Sequence, residues 1–187
     1  GLWAIERVLR MLREWPHAHP MWPAPHYISV NVSPLQLVDD DFPVQVHRLL
    51  DDSGVDSRRL VLEMTESCLM DATERNLSCI RRLHDLGLSL SIDDFGTGYS
   101  SLSSLKNFPF SVLKIDGVFV RDLATDPSSR QMVAAIIAIA AVYDLSIVTE
   151  GVENEAQANV LRELQPHGTL CAQGHLYGRP AEVAAMA

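Results

Sequence analysis

The sequence predicts an α/β fold of the TIM-type (β/α) barrel class. Three features support this prediction: short β-branched segments recur along the chain, helix signals separate them, and a polar residue stands at the end of nearly every segment. Strands joined by helical crossovers run parallel to one another. Because the polar residues mark several successive strand ends, we favour a closed ring of strands whose ends meet at one centre. An open doubly wound sheet would place its ligands at a single crevice.

Composition and length indicate one domain with a well-filled core. The chain has 187 residues, of which 47% are hydrophobic and 21% are charged. A formal net charge of -9 argues against a broad DNA-binding surface. The three cysteines (Cys68, Cys79 and Cys171) lack metal-ligand spacing, so we expect reduced thiols and a cytoplasmic protein. No apolar run is long enough to cross a bilayer, so we expect no membrane insertion.

Local signals predict the elements in chain order. An amphipathic helix (2–12) comes first, and a proline-rich connection starts at Pro16. The predicted strands cover residues 27–32, 60–65, 88–94, 111–115, 145–149 and 170–173. The predicted helices lie within residues 44–52, 71–86, 127–143 and 155–164. The third of these helices has a strong start signal, since Asp126 is a good N-cap and Pro127 suits the first turn. Asp71 and Glu74 form a capping-box pattern at the start of the second.

The segment from Leu88 to Leu102 carries two adjacent carboxylates, Asp93 and Asp94. Strand side chains alternate between faces, so two neighbouring acids can converge only where the strand ends. Two unpaired carboxylates held close together repel each other, and a divalent cation removes that penalty. For the dipeptide alone, a solvated turn is the competing interpretation.

Polar residues at the other strand ends favour a metal site. These markers are Asn31, Glu63, Asp93, Lys114, Glu150 and Gln173. The candidate ligands are all oxygen donors, which select Mg²⁺ or Mn²⁺ and not a typical zinc site. Several carboxylates exceed the need of one Mg²⁺ ion, so we expect two ions, which together support in-line attack of water on a phosphate ester. Lys114 would orient that water or balance the charge of the phosphate.

Six motifs, in this order, make the chain similar to the EAL domain family. They are SVNVSP (29–34), LEMTES (62–67), DDFGTGYSSL (93–102), KID (114–116), EGVE (150–153) and QGHLYGRP (173–180). Members of this family are bacterial phosphodiesterases that open cyclic di-GMP to linear pGpG. The resemblance implies that residues 1–187 are a single EAL-type domain and comprise the last six βα units of an eight-strand modified barrel. The chain would then lack the N-terminal hairpin that carries Glu-Ala-Leu.

The resemblance also implies roles for individual residues. The implied ligands of two Mg²⁺ or Mn²⁺ ions are Asn31, Glu63, Asp93, Asp94, Glu150 and Asp116. The implied catalytic groups are Lys114, Glu150 and Asp94. The implied substrate contacts come from Asn31, Gln173, Glu153, Arg179 and Pro180. Glu66 would anchor the loop 95–100, the segment that links dimerisation to metal occupancy in this family.

Two departures from the family leave alternatives open. The glutamate of the absent Glu-Ala-Leu motif is itself a metal ligand in the family, and its loss favours impaired hydrolysis. Leu35 stands where many members have arginine. The alternatives to an active phosphodiesterase are a module that binds cyclic di-GMP without turnover and a dimerisation or regulatory module. The expected partners are cyclic di-GMP, a second copy of the chain, and attached sensor or diguanylate cyclase domains.

Overall fold

The fold is built on one curled sheet of parallel strands. The computed structural model describes residues 1–66, 68, 74–97, 102–164 and 170–181. The strands are β1 (Ile28–Asn31), β2 (Leu60–Thr65), β3 (Ser89–Phe95), β4 (Val112–Ile115), β5 (Ser146–Thr149) and β6 (Leu170–Ala172). Their order in the sheet is their order in the chain, and every neighbouring pair is parallel. A doubly wound sheet reverses its strand order at a switch point. This sheet never reverses, so the predicted barrel winding is confirmed.

Helices connect successive strands and cover the outer face of the sheet. The described helices are α1 (Leu2–Ala18), α2 (Pro34–Leu37), α3 (Phe42–Ser53), α4 (Glu74–Asp85), α5 (Leu102–Asn107), α6 (Gly117–Arg121), α7 (Pro127–Val142) and α8 (Glu155–Leu164). A 3₁₀ turn, Ser57–Arg59, leads into β2. Each crossover returns the chain to the same end of the sheet, which keeps all strands parallel.

The predicted strands are all present, and their ends differ from the predicted ones by single residues. The opening helix is longer than expected, because Pro16 lies in its last turn and the helix ends at Ala18. A proline there removes only one helical hydrogen bond, and the burial of Trp15 favours continuing the helix. The short helices α2, α5 and α6 escaped prediction because they span too few turns to show periodicity. The predicted cap at Asp71 lies outside the described residues.

The core lies between the sheet and its helices. Alternate strand residues such as Leu62, Leu90 and Leu113 are fully buried and face the helices. Helix α1 contributes an apolar stripe that includes Ile5 and Leu9. The other residues of each strand project from the opposite, concave face of the sheet. Within the described ranges, no helix combines the length and the apolar character needed to cross a membrane.

Candidate active site at the carboxyl ends of the strands

Lys114 is the centre of a buried ion cluster on the concave face. Its Nζ atom lies 2.6 Å from Glu150 Oε1, 2.9 Å from Glu63 Oε2 and 3.1 Å from Asp93 Oδ1. The four residues come from β2, β3, β4 and the end of β5, so the parallel sheet brings them to one point. Lys114 is only 5% exposed and Glu63 only 8% exposed. Charges so deeply buried are stable only when they are paired.

The cluster keeps Lys114 in its charged form. Burial by itself lowers the pKa of Lys114, but the hydrogen bonds to Glu150 and Glu63 outweigh it and hold the pKa above its ordinary value. The ammonium group therefore remains protonated throughout the physiological range. A fixed positive charge surrounded by carboxylates can stabilise negative charge on a nearby phosphate, and it cannot act as a base at neutral pH.

A β-bulge aims the two adjacent aspartates at the same site. The register of β3 against β4 changes between Ile92 and Phe95, so Asp93 and Asp94 together oppose Lys114. Asp94 has a left-handed backbone conformation with φ of 57°. The strand continues to Phe95. The two acids therefore converge through a bulge inside the strand, and the expectation that the strand must end there is corrected.

The carboxylates of Asp93, Asp94 and Glu150 form a compact oxygen cluster. One oxygen from each lies within 4.8 Å of one oxygen from the others. Burial, the charge of Asp93 and a hydrogen bond with Asp116 raise the pKa of Asp94. A bound divalent cation would relieve this crowding of negative charge. The donor set contains only oxygen, so the residues fit a hard cation such as Mg²⁺ or Mn²⁺.

Two further predicted ligands border this cluster. Asp116 follows β4 and caps α6, accepting a hydrogen bond of 2.6 Å from the backbone N–H of Val118. Asn31 ends β1 directly opposite Glu63 in the strand register, and its side chain is exposed. Leu35, on the neighbouring helix α2, is 80% exposed. The structure thus places every predicted ligand at the same end of the sheet.

Glu66 fixes the loop that follows the bulge. Its side chain is 3% exposed, and Oε2 accepts a hydrogen bond of 2.9 Å from the backbone N–H of Gly96. Its own N–H donates to the carbonyl oxygen of Asp93. Gly96 has φ of +95°, and a Cβ atom there would lie 3.1 Å from the ring of Phe119. The loop is therefore held between Glu66 and α6 as far as Thr97, and its predicted continuation to Ser100 lies outside the described residues.

A cleft of about 680 Å³ adjoins the carboxylates. Four of the predicted substrate contacts line it: Glu153, Gln173, Arg179 and Pro180. Glu150 belongs both to this cleft and to the ion cluster, so the two are continuous. The sequence analysis missed His175 and Tyr177, which line the same cleft. Their place inside the motif QGHLYGRP, between Gln173 and Arg179, is the signal that could have identified them.

The side chain of Gln157 secures the loop that carries Glu153. Its Oε1 atom accepts hydrogen bonds from the backbone N–H groups of Glu153 (2.8 Å) and Asn154 (3.1 Å). Its Nε2 atom donates to the carbonyl oxygens of Val120 and Arg121, at 3.1 Å each. Gln157 is 3% exposed. This buried amide ties the start of α8 to the end of α6 and so fixes one wall of the cleft.

These features define a (β/α)-barrel domain with a candidate divalent-cation site at the carboxyl ends of its strands, the edge where such barrels carry their active sites. The chain belongs to the EAL domain family, whose sequence model matches residues 1–180. The resemblance inferred from the motifs is thereby confirmed.

Two curated relatives show the extent of the similarity. The chain is 40% identical over 181 residues to the bifunctional diguanylate cyclase/cyclic di-GMP phosphodiesterase MucR of Pseudomonas aeruginosa, a match that covers 96% of the chain and 25% of MucR. It is 36% identical over 180 residues to the cyclic di-GMP phosphodiesterase PdeR of Escherichia coli, covering 96% of the chain and 26% of PdeR. The chain therefore spans about a quarter of the length of these relatives.

Solved structures share the fold over the whole chain. The MucR phosphodiesterase (PaMucR) in complex with cyclic di-GMP superposes with a TM-score of 0.86 at 38% identity, and the match covers 100% of this chain and 73% of that one. The EAL domain of Mycobacterium smegmatis DcpA gives a TM-score of 0.88 at 35% identity, and the match covers 100% of this chain and 81% of the DcpA chain. The curled sheet thus corresponds to part of a TIM-like barrel.

Proposed function

We propose that this domain hydrolyses cyclic di-GMP to linear pGpG. The observation that carries the proposal is the convergence of Glu63, Asp93 and Glu150 on the Nζ atom of Lys114. Membership of the EAL family and the names of the relatives MucR and PdeR supply the reaction and the substrate. The cleft next to Glu150 supplies a place for a dinucleotide.

The carboxylate cluster is proposed to hold two Mg²⁺ or Mn²⁺ ions. The residues that would hold them are Asn31, Glu63, Asp93, Asp94, Glu150 and Asp116. When bound, such ions polarise a phosphoryl oxygen and make water a stronger nucleophile. Support comes from the oxygen-only donor set and from the mutual approach of Asp93, Asp94 and Glu150 to within 4.8 Å.

The residues of the chain orient the reacting groups. The ammonium charge of Lys114 lies beside the attacking water and stabilises the negative charge that develops on the phosphate oxygens. Glu150 and Asp94 accept hydrogen bonds from that water and so point its lone pair at phosphorus. One P–O bond forms with the water oxygen, which loses a proton to a neighbouring carboxylate. One P–O bond to the sugar breaks, and the leaving sugar oxygen takes up a proton, so a single phosphodiester opens to a linear product.

The cleft is proposed to bind the rest of the dinucleotide. Arg179 suits a phosphate, because its guanidinium group can donate two parallel hydrogen bonds. Gln173 and Glu153 offer donors and acceptors for base and sugar edges, Pro180 offers an apolar contact, and Asn31 would bind from the β1 side. All of these except Asn31 line the cleft beside Glu150.

A hydrolysis assay tests the proposal. Cyclic di-GMP is incubated with the chain and Mg²⁺ or Mn²⁺, and the products are separated by chromatography. We expect pGpG from the unmodified chain and none from Glu63→Gln, which keeps the shape but loses the charge at the cluster. Glu163→Gln, on the exposed face of α8, is the matched control and should leave the rate unchanged. Equal rates in Glu63→Gln and the unmodified chain would contradict the site assignment.

A second candidate is binding of cyclic di-GMP without turnover. The observation that favours it is the cleft itself, because the lining residues Gln173, Arg179 and Pro180 lie outside the carboxylate cluster of Asp93, Asp94 and Glu150. Calorimetric binding of cyclic di-GMP with no product in the assay would support this alternative. Neither binding nor turnover would support a purely regulatory module.

We further propose that the domain works as a homodimer attached to other signalling domains in the cytoplasm. Exposed apolar side chains on α7, Met132 and Val142, support self-association, since no charged residue lies between Gln131 and Tyr143. The bifunctional name of MucR supports attached domains. Light scattering of the purified chain tests the dimer, and a monomer at micromolar concentration would contradict it.

A further inference from the structure

Ser91 is a buried polar residue directly beneath the ion cluster. It lies on β3 two residues before Asp93, and it is 1% exposed. Within the part of the chain that the structure describes, its Oγ atom has no hydrogen-bond partner. Buried hydroxyl groups in native proteins are nearly always paired, either with protein atoms or with ordered water. The Ser91 hydroxyl therefore requires a partner at this position.

The strand register places Ser91 beside Glu63. The two residues are direct partners in the pairing of β2 with β3. Directly paired residues of parallel strands project from the same face of the sheet. Glu63 and Asp93 both bond to Lys114, so this face is the concave one that carries the cluster. Neighbouring strands lie about 4.8 Å apart, a spacing at which a water molecule can bridge polar groups on adjacent strands.

The concave face beneath the cluster is lined by small side chains. By strand alternation, its residues include Ser29, Val61, Ser89, Ser91, Val112 and Ser146. Barrel interiors are usually filled by bulky branched side chains. Four serines among these positions leave both volume and polar groups, which a bound water needs, and Ser91 is the buried one of the four.

Tyr27 borders this region at the β1 side and is 43% exposed. It precedes β1 and shares a face with Asn31 by alternation. Burial, followed by the charges of Cys171 and Glu63, raises the pKa of its phenol. The phenol therefore lies near enough to Glu63 on β2 and Cys171 on β6 for their charges to act on it.

We propose that the Ser91 hydroxyl holds a buried water against the Glu63 carboxylate and so acts as a positioning residue of the site. Glu63 Oε2 bonds to Lys114 at 2.9 Å, and the water donates to a remaining lone pair of the same carboxylate. The carboxylate is then fixed from two directions, and Lys114 is fixed with it. The catalytic consequence rests on the proposed phosphodiesterase function, whereas the water site does not.

Crystallography and metal binding test the water site without any turnover. At high resolution we expect a water within about 3 Å of both Ser91 Oγ and a Glu63 carboxylate oxygen, and its loss in Ser91→Ala. Calorimetry with Mn²⁺ alone should show a Kd about tenfold weaker for Ser91→Ala, the effect of one lost hydrogen bond. Ser91→Thr, which keeps the hydroxyl, should restore the Kd. The control Ser89→Ala, on the same strand and face but half-buried and opposite Val61, should not change it.

Kinetics test the positioning role. We expect Ser91→Ala to lower kcat about tenfold with KM for cyclic di-GMP unchanged, because Ser91 acts through Glu63 and does not touch the substrate. A Ser91 hydroxyl bonded only to a backbone carbonyl, or Mn²⁺ binding equal in Ser91→Ala and Ser89→Ala, would overturn the inference. If the unmodified chain does not hydrolyse cyclic di-GMP, the proposed function fails, and the crystallographic and Mn²⁺ results still decide the role of Ser91.

Discussion

Asp94 turns its carboxylate to the same side of the sheet as that of Asp93, although the two residues are neighbours in one strand. Adjacent strand residues normally face opposite sides. The bulge opposite Lys114 and the left-handed backbone of Asp94 remove that alternation at one point. The left-handed backbone of Asp94 thus places two acids in one site. The free-energy cost of that conformation can be measured separately from the role of the carboxylate.

A comparison of Asp94→Gly with Asp94→Ala should distinguish the stability cost of the backbone conformation from the contribution of the carboxylate to activity. Both variants lose the acid and should lose activity. Glycine adopts a positive φ freely, whereas alanine pays about 1 kcal/mol, so Asp94→Gly should be the more stable of the two by about that amount. Urea denaturation of both variants measures the difference. Equal stabilities would show that the backbone at this position relaxes when the carboxylate is removed.

Lys114→Met should abolish activity and destabilise the fold. Removing the ammonium leaves the buried carboxylate of Glu63 and the partly buried carboxylate of Asp93 without their cation, a change that costs about 3–5 kcal/mol. Mn²⁺ should restore more stability to this variant than it adds to the unmodified chain, because a cation replaces the lost positive charge. Thermal melts in EDTA and in Mn²⁺ measure both effects. Lys106→Met, on exposed α5 surface, is the control for loss of a lysine.

Glu66→Ala should loosen the loop after β3. The variant removes the carboxylate that accepts the Gly96 N–H, so exchange of that amide should quicken by about tenfold or more. Hydrogen exchange followed by mass spectrometry of a peptide containing residues 95–97 measures the change. Glu155→Ala, at the exposed start of α8, should leave the peptide unaffected. Unchanged exchange in Glu66→Ala would mean that the packing of Phe119 on Gly96 is sufficient.

The three cysteines should differ in their reactivity toward a thiol reagent at mildly alkaline pH. Burial raises the pKa of the Cys79 thiol to about 11, so at pH 8 only about one molecule in a thousand carries the reactive thiolate. Cys79 and Cys68 are buried, whereas Cys171 on β6 is exposed. A thiol reagent at pH 8 should therefore modify Cys171 first, and the other two only after denaturation. Early modification of Cys79, identified by peptide mapping, would contradict its buried position on α4.

The strands and the location of the site could be predicted from sequence because both follow from local patterns. β-branched runs mark the strands, and the alternation of faces brings their terminal polar residues to one edge. The bulge at Asp93 could not be predicted, since a bulge is defined by the partner strand and β4 is distant in sequence. The contact of Lys114 with three carboxylates depends on how the sheet curls, which no single segment encodes. His175 and Tyr177 lie in a turn without periodicity, so only the position of their motif marks them.

Lys114 and Glu63 lie 51 positions apart in the chain, and Glu150 comes later still. The ammonium group cannot meet all of its partners until β2, β3, β4 and β5 are paired side by side. Contacts between such distant segments form slowly, because long loops must close first. The ion cluster is therefore expected to be among the last contacts that form as this polypeptide folds.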